Sequence, residues 1–515
     1  MDKKILSIFV CMLMIVSIAF SASGNLNIIQ HQIEKKSIKT HEVKPNIASE
    51  IDWWPMFHHD LEHTGYSTSN TPDTSDIRWV FPYDIQQKTA SSPAVVNDRV
   101  YFGENKVFCL DAKDGSSIWT YDSGSDDEFI FSDPTVYDGK VYIGAWYGLF
   151  CEVLCLDAAG DGAGGTTLIW SYPIICSSIS PSFAVCDGKV YLAASYSDHG
   201  EVLCLDAAGD GAGSTTLIWS TIISVGVYGS PAVYCCKLYI GGYNGVYCLN
   251  AINGDIIWNN PLVGTIPNSP AIAYNKVYVG SLDDLNVYCL DACTGDIIWS
   301  YLTGGFLLSP SIYDGKVYIF SMDFTLYCLD AEGDGAGGTT LIWSFTTASH
   351  KHATPAIADG KVYFGSQDSN FYCLDSSTGN VVWIYPTSYV IWSSPAIANG
   401  TVYIVTNDEA QRVIAFGCCL EVEIECGLHI GVIAIIRNNC DYDLSGVLYS
   451  STISGSCISR IFRGSGVVNI PAHSERRIKI HPIGLFCCID ITVTAGCAED
   501  TKNGCILFIL IDVCC

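Results

Sequence analysis

A Ser-Pro or Thr-Pro step, once in the form Ser132-Asp133-Pro134, recurs eight times along this chain. The prolines are Pro93, Pro134, Pro181, Pro231, Pro270, Pro310, Pro355 and Pro395, spaced by 41, 47, 50, 39, 40, 45 and 40 residues. Self-similarity at that period confines the fold to repeat architectures, where each unit buries its apolar face against its neighbours. The order inside a unit is constant. A short apolar run follows the proline, then a turn and Val-Tyr, as in Asp314-Gly315 with Val317-Tyr318 and Asp359-Gly360 with Val362-Tyr363. A Cys-Leu-Asp strand end comes next (Cys289 to Asp291, Cys373 to Asp375). A Trp-bearing strand closes the unit (Ile297 to Trp299, Val381 to Trp383).

Asp-Gly between alternating apolar residues is a hairpin signal, so each unit reads as four short antiparallel strands. A four-stranded sheet repeated every ~40–45 residues is a propeller blade, and the chain is expected to be all-β. The last strand of seven units carries Trp119, Trp170, Trp219, Trp258, Trp299, Trp343 and Trp383. The eighth unit runs from Pro395 through Val413 to Phe416 and stops without its Trp. The missing strand stands at the other end, Ile77-Arg78-Trp79-Val80-Phe81. An eight-bladed ring closed by the N-terminal strand follows, and closure removes open sheet edges.

Asp291-Ala292-Cys293-Thr294-Gly295-Asp296-Ile297-Ile298-Trp299, with Asp375…Gly379…Trp383 and Asp111…Gly115…Trp119, resembles the tryptophan-docking repeat of PQQ-like (quinoprotein-type) eight-bladed propellers. Trp54-Pro55-Met56-Phe57…His63-Thr64-Gly65 resembles the N-terminal strap of secreted members of that group. In such a repeat the Asp bonds turn amides, the Gly takes a left-handed position, and the Trp lies flat on the next blade. The resemblance implies PQQ and Ca²⁺ as conceivable cofactors. A quinone dehydrogenase needs Ca²⁺ held by Glu, Asn and Asp, a catalytic Asp, and cations for the quinone carboxylates. No clear counterpart of the calcium ligands is found, and no cofactor is expected. Quinone-using dehydrogenases also stack their cofactor on a vicinal disulfide. Cys235-Cys236 is such a doublet, but it replaces the Asp-Gly of a turn expected on the face opposite the funnel.

Three units carry a longer turn before the Trp strand, holding the pairs Asp157 and Asp161, Asp206 and Asp210, and Asp330 and Asp334. Asp-x-x-x-Asp-Gly resembles the start of a calcium loop, but Leu168, Leu217 and Leu341 stand where the bidentate acid belongs. These six aspartates are weak metal candidates, and a flexible glycine turn is the plainer reading. His58, His59, Asp60 and His63 offer metal-binding chemistry too, inside a strap the fold already explains. Cys109, Cys155, Cys204, Cys248, Cys289, Cys328 and Cys373 share one strand position in different blades. They are expected to lie too far apart to bond and to act as small buried hydrophobes.

The chain opens with Lys3-Lys4, an apolar run from Ile5 to Phe20 and Ser21-Ala22-Ser23-Gly24, the parts of a secretory signal. We expect residues 1–24 to be a signal peptide, 25–52 a polar linker, 53–417 the propeller and 418–515 a cysteine-rich module. An uncleaved signal would be the only membrane attachment. The module has alternating strands but no Trp, and it resembles immunoglobulin-like β-sandwiches. With 26 Lys+Arg against 53 Asp+Glu the formal net charge is -27, which excludes nucleic acid as a partner held by bulk electrostatics.

The loops entering each unit and those after its second strand line one mouth of the channel. There the sequence places Trp146, Tyr147, Tyr196, Asp198, His199, Tyr243 and Trp392. The same loops carry Asp283, Asp284, Asp323, His350, His352, Asp368 and Asp408. Aromatics among carboxylates suit a protein or glycan partner, although loop aspartates also cap turns. The expected role is an exported, secreted or cell-surface binding scaffold without catalysis. A PQQ-dependent dehydrogenase and an envelope-assembly scaffold are the alternatives.

Overall fold

The computed structural model describes residues 51–417 except 84–90, 123–128, 131, 147–149, 224–225, 350–352, 388–389 and 407–411. It also describes the backbone of strands between 420 and 503. The signal and linker expectations, residues 1–24 and 25–52, lie outside the described residues apart from 51 and 52.

Eight sheets form the ring, antiparallel except where strap residues Tyr66–Ser67 add a parallel strand to the seventh. Blade 1 is the meander Ala94–Val96, Arg99–Gly103, Val107–Asp111 and Ser117–Tyr121, strands A to D from the axis outward. Blades 2 to 7 repeat it, ending with Ala356–Ala358, Lys361–Gly365, Asn370–Asp375 and Val381–Pro386. Blade 8 has Ala396–Ala398, Thr401–Thr406 and Arg412–Gly417, and its outer strand is Ile77–Pro82. Trp79 lies opposite Ala415 and Val80 opposite Ile414, antiparallel. The N-terminal strand thus completes the last sheet.

One row of side chains explains the repeat. Across strands B, C and D, Tyr278, Cys289 and Trp299 stand in register. The Tyr278 hydroxyl and the Trp299 indole N–H both donate to the Ala331 carbonyl of the next blade, at 3.2 and 3.1 Å. The same pair of bonds joins Tyr101 and Trp119 to Ala158, and Tyr191 and Trp219 to Ala251. Tyr142 and Trp170 reach Ala207, Tyr239 and Trp258 reach Ala292, and Tyr318 and Trp343 reach Ser376. At the seam Tyr403 and Trp79 reach Ala112. Blade 8 has no such turn of its own, so Tyr363 and Trp383 donate to Pro72 of the N-terminal segment. A buried indole N–H needs an acceptor, and this one is shared. The turn glycine is required for two reasons. Gly295 has φ of +78°, and a Cβ there would meet the Trp258 ring at 2.6 Å.

Two further systems tie the blades together near the axis. At the residue before or after the repeat proline, each blade bonds the next. Ser182 N–H donates to Ser230 Oγ, Ser230 to Ser269 Oγ and Ser269 to Ser309 Oγ. Thr354 donates to Ser394 Oγ, and Ser394 to Ser92 Oγ across the seam. The strap then caps the inner strand edges. Val95 and Trp54 exchange backbone bonds. The N–H groups of Val136, Val233, Ile272, Ile312 and Ile357 donate to carbonyls of Pro55, Leu61, Glu62, Thr64 and Gly65. Six blades are thereby held by one segment, and their inward edges are paired.

Beyond the ring, Leu420–Cys426, Val432–Asn438 and Ser474–Ile480 form a three-stranded sheet. Leu444–Ser454, Phe462–Ile470, Asp490–Ala495 and Ala498–Asn503 form a four-stranded one. The immunoglobulin-like packing expected for 418–515 rests on side chains outside the described residues.

Candidate functional site

The mouth is built from the D–A loops and the B–C turns. Three of its B–C turns share one device, an aspartate that accepts from the tyrosine hydroxyl four residues on. Asp284 takes Tyr288, Asp323 takes Tyr327 at 2.6 Å and Asp368 takes Tyr372 at 2.8 Å. Each carboxylate also caps its own turn, at the amides of Asn286, Thr325 and Asn370. Asp323 Oδ2 and Asp368 Oδ2 reach on to the D–A loop amides of Gly304 and Ala348. Asp283 Oδ2 accepts the Thr265 N–H and hydroxyl, at 2.8 and 3.1 Å. Asp283, Asp323 and Asp368 hold the two loop sets together, and Asp284 caps its own turn, so the acceptor capacity of these four is largely spent on the protein itself.

The aromatic residues are placed differently. Tyr196 and His199 stack at 4.4 Å with planes 6° apart, and His199 Nδ1 lies 2.7 Å from the exposed Asp198 carboxylate. Tyr243 and Tyr228 meet edge to face at 5.7 Å, and both are about half exposed. Phe306 and Trp392 are also exposed, and Trp146 is half-buried beside the core of blades 2 and 3. The mouth is thus a ring of separate aromatic platforms on a capped frame. Tyr147, His350, His352 and Asp408 lie outside the described residues.

The long turns do something their sequence did not suggest. Asp161 Oδ1 accepts the amides of Ala163 and Gly165, at 2.7 and 2.9 Å, and Asp210 and Asp334 repeat the pattern. Those bonds hold the three carboxyls below their usual range. Asp157, Asp206 and Asp330 cap the turn start at Ala159, Ala208 and Glu332. The folded turn then reaches back to the preceding blade. Gly164, Gly213 and Gly337 accept the N–H of Thr120, Ser171 and Ser300 on the neighbouring outer strand. Each long turn is an edge cap between blades.

The strap histidines are likewise engaged. His58 Nδ1 donates to the His63 carbonyl at 3.2 Å and His63 Nδ1 to the Pro270 carbonyl at 3.1 Å. Burial pushes His58 down to about 3 and His63 to about 4, which keeps both neutral. Burial opposes charge on His59 as well, but Asp52 at 3.0 Å and Asp60 at 3.5 Å outweigh it and raise it to about 9. Among the described residues, no group of three or more His, Cys, Asp or Glu is placed to hold a metal ion. Cys235 and Cys236 sit in the hairpin joining Ala232–Tyr234 to Lys237–Gly242, on the face opposite the mouth. Among the described mouth residues, Asp283, Asp323 and Asp368 are bonded into the loops rather than gathered as ligands for a quinone's calcium.

Two features escaped the sequence reading. Asp133 stands where other blades place Ser or Thr before the proline. Its Oδ1 accepts the Ser92 N–H of blade 1 at 2.5 Å, and burial raises its carboxyl to about 7. The irregular Ser132-Asp133-Pro134 was the available signal. A pocket of about 350 Å³ opens on the face away from the mouth, at the seam of blades 8 and 1. Trp53, Arg78, Asp98, Asp111, Lys113 and Tyr403 are among its walls. Only the folded seam brings these together.

The repeat cysteines are all fully buried free thiols, pushed by burial up to about 12, or about 11 for Cys248.

Comparison with known proteins agrees with this architecture. The chain is 27% identical over 132 residues to a quinohemoprotein alcohol dehydrogenase of Comamonas testosteroni, a stretch of 23% of this chain and 18% of that protein. Quinohemoprotein alcohol dehydrogenase ADHIIG of Pseudomonas putida HK5 superposes with a TM-score of 0.56 at 14% identity, covering 71% of this chain and 80% of the other. BamB of Moraxella catarrhalis superposes with a TM-score of 0.51 at 15% identity, covering 65% and 98%. At these identities the likeness establishes the fold. A family model described as outer membrane protein assembly factor BamB matches residues 69–164, 198–333 and 322–417.

Proposed function

The chain belongs to the family of outer membrane protein assembly factor BamB, whose model takes in more than half of it, and we propose that it is an exported, non-catalytic binding scaffold. The mouth holds a protein partner, in the manner of an envelope-assembly factor. One observation carries this reading. Asp283, Asp323 and Asp368 of the mouth are bonded into the loop frame, whereas Tyr228, Tyr243, Phe306 and Trp392 are left exposed. Rigidly mounted aromatics with few rotamers give contact area at low entropic cost, which suits recognition of a protein surface. The charge of -27 favours a partner with basic or neutral contact surface.

The test uses a photo-crosslinking residue placed at Tyr243, and separately at Asp98 on the opposite face. Envelope material should be captured from the Tyr243 position and not from Asp98. Equal capture from both, or from Asp98 alone, removes the mouth from the account.

A quinone-dependent alcohol dehydrogenase is the second reading, favoured by the matched segment of the Comamonas testosteroni enzyme. Purified protein is mixed with PQQ and Ca²⁺ and assayed for dye reduction with alcohols. Turnover would replace the scaffold reading.

A further inference from the structure

Seven of the thirteen free cysteines in the described residues are explained by the repeat. Cys151 and Cys176 are not. Both are buried, and both belong to the core shared by blades 2 and 3. Cys151 opens the strand Cys151–Asp157, with Ile174 of the neighbouring strand opposite it. Cys176 lies two residues past Ile174, in the bend that follows the strand. The Cys151 Sγ lies 4.0 Å from the Cys176 carbonyl oxygen, and both side chains pack in one core. In blade 3 the position matching Cys151 is Gly200, paired with Ser195 as Cys151 is with Trp146. The repeat therefore does not call for a cysteine there.

We propose that Cys151 and Cys176 are a disulfide site that ties the start of strand C to the D–A loop at the mouth end of blade 2. Formation needs an oxidant of the disulfide class. The Cys151 thiolate attacks one sulfur of that oxidant, forms a mixed disulfide and expels a thiolate. The Cys176 thiolate then attacks the Cys151 sulfur, the new S–S bond forms, and a second thiolate leaves. The protein gives up two protons and two electrons, and the oxidant leaves as two thiols. The bond anchors both loops beside Trp146, and the inference stands whether or not the mouth binds a partner.

The full chain is incubated with oxidised glutathione in sub-denaturing urea, so that the buried pair is reachable. It is then denatured and alkylated without reductant. Trypsin leaves both cysteines in one fragment, because no Lys or Arg lies between Lys140 and Lys189. Cleavage after acidic residues separates them, into 139–152 and 162–187. Mass spectrometry should find these two fragments joined, with Cys186 alkylated and alkylation lost at Cys151 and Cys176. Exposed Cys293 serves as the labelling control. In Cys176→Ser, Cys151 should become alkylated, and reductant should lower the melting temperature of the parent but not of this variant. If that variant does not fold, the fragment map of the parent decides alone. Alkylation of both cysteines in the parent, or linkage of either to another cysteine, overturns the proposal.

Discussion

Asp133→Asn should stabilise the propeller and remove part of its pH dependence. The carboxyl sits in the belt of hydroxyls that links blade to blade, buried, with its Oδ1 on the Ser92 N–H. Burial raises it from 3.8 to about 7. A carboxyl raised in the folded state binds more protons there than in the unfolded chain. Stability therefore falls as pH rises through the window between those two values and levels off above it. A gap of ~3 units at ~1.4 kcal/mol each sets a ceiling of about 4 kcal/mol. Asn keeps the acceptor oxygen and nearly the same volume, and it carries no charge to desolvate. The assay is urea unfolding followed by tryptophan fluorescence, for parent and variant, from about pH 4 to about pH 8. The difference between the two should be small at the acid end and grow to ~2–4 kcal/mol in favour of Asn at neutral pH. A constant difference across the range, or a variant that is weaker throughout, would refute the reasoning.

Four other outcomes follow from the same structure. Trp299→Ala removes a buried ring and the indole bond to Ala331, and should cost ~3–5 kcal/mol by denaturant unfolding, while Asp284→Ala should cost ~1 kcal/mol. Gly295→Ala should lower the melting temperature, because it puts a methyl into the Trp258 ring at φ +78°. Cys289→Ala should be mild at ~1 kcal/mol, since blade 8 already has Ala415 between Tyr403 and Trp79, whereas Cys289→Leu should cost ~1–3 kcal/mol by forcing the rings apart. His59 is raised in the folded chain from 6.5 to about 9, so its ion pairs stabilise fully below about pH 6.5 and are lost by about pH 9. His59→Gln should flatten that alkaline loss in the same unfolding assay.

The parts of this fold that a sequence exposes are those where one residue type has no substitute. Gly295 must be glycine because of its φ and the ring above it, and Trp299 must reach a carbonyl in another blade. Those identities recur with the blade, so blade count and closure by Trp79 were readable. The cysteine between Tyr278 and Trp299 was readable as buried, but its small size as a spacer between two rings needed the register. Other roles depend on partners about forty residues away. The Ser230 to Ser269 belt, the reach of Gly337 to Ser300, and the service of Pro72 to Trp383 are inter-blade contacts with no local signature. The mouth aspartates read in the sequence either as contacts for a partner or as turn caps. Asp323 and Tyr327 stand four apart, a spacing that puts the tyrosine hydroxyl on the carboxylate. The seam pocket joins Arg78, from the N-terminal strand, to Tyr403, and only closure of the ring creates it.

Closure is tested most directly by hydrogen exchange of residues 77–82. The strand is the outer edge of its sheet, so those of its amides that bond to Arg412–Gly417 should be protected, and they should lose protection together with 412–417 in Trp79→Ala. Rapid exchange of every amide of residues 77–81 in the intact protein, with 412–417 still protected, would mean that the N-terminal strand does not close the ring.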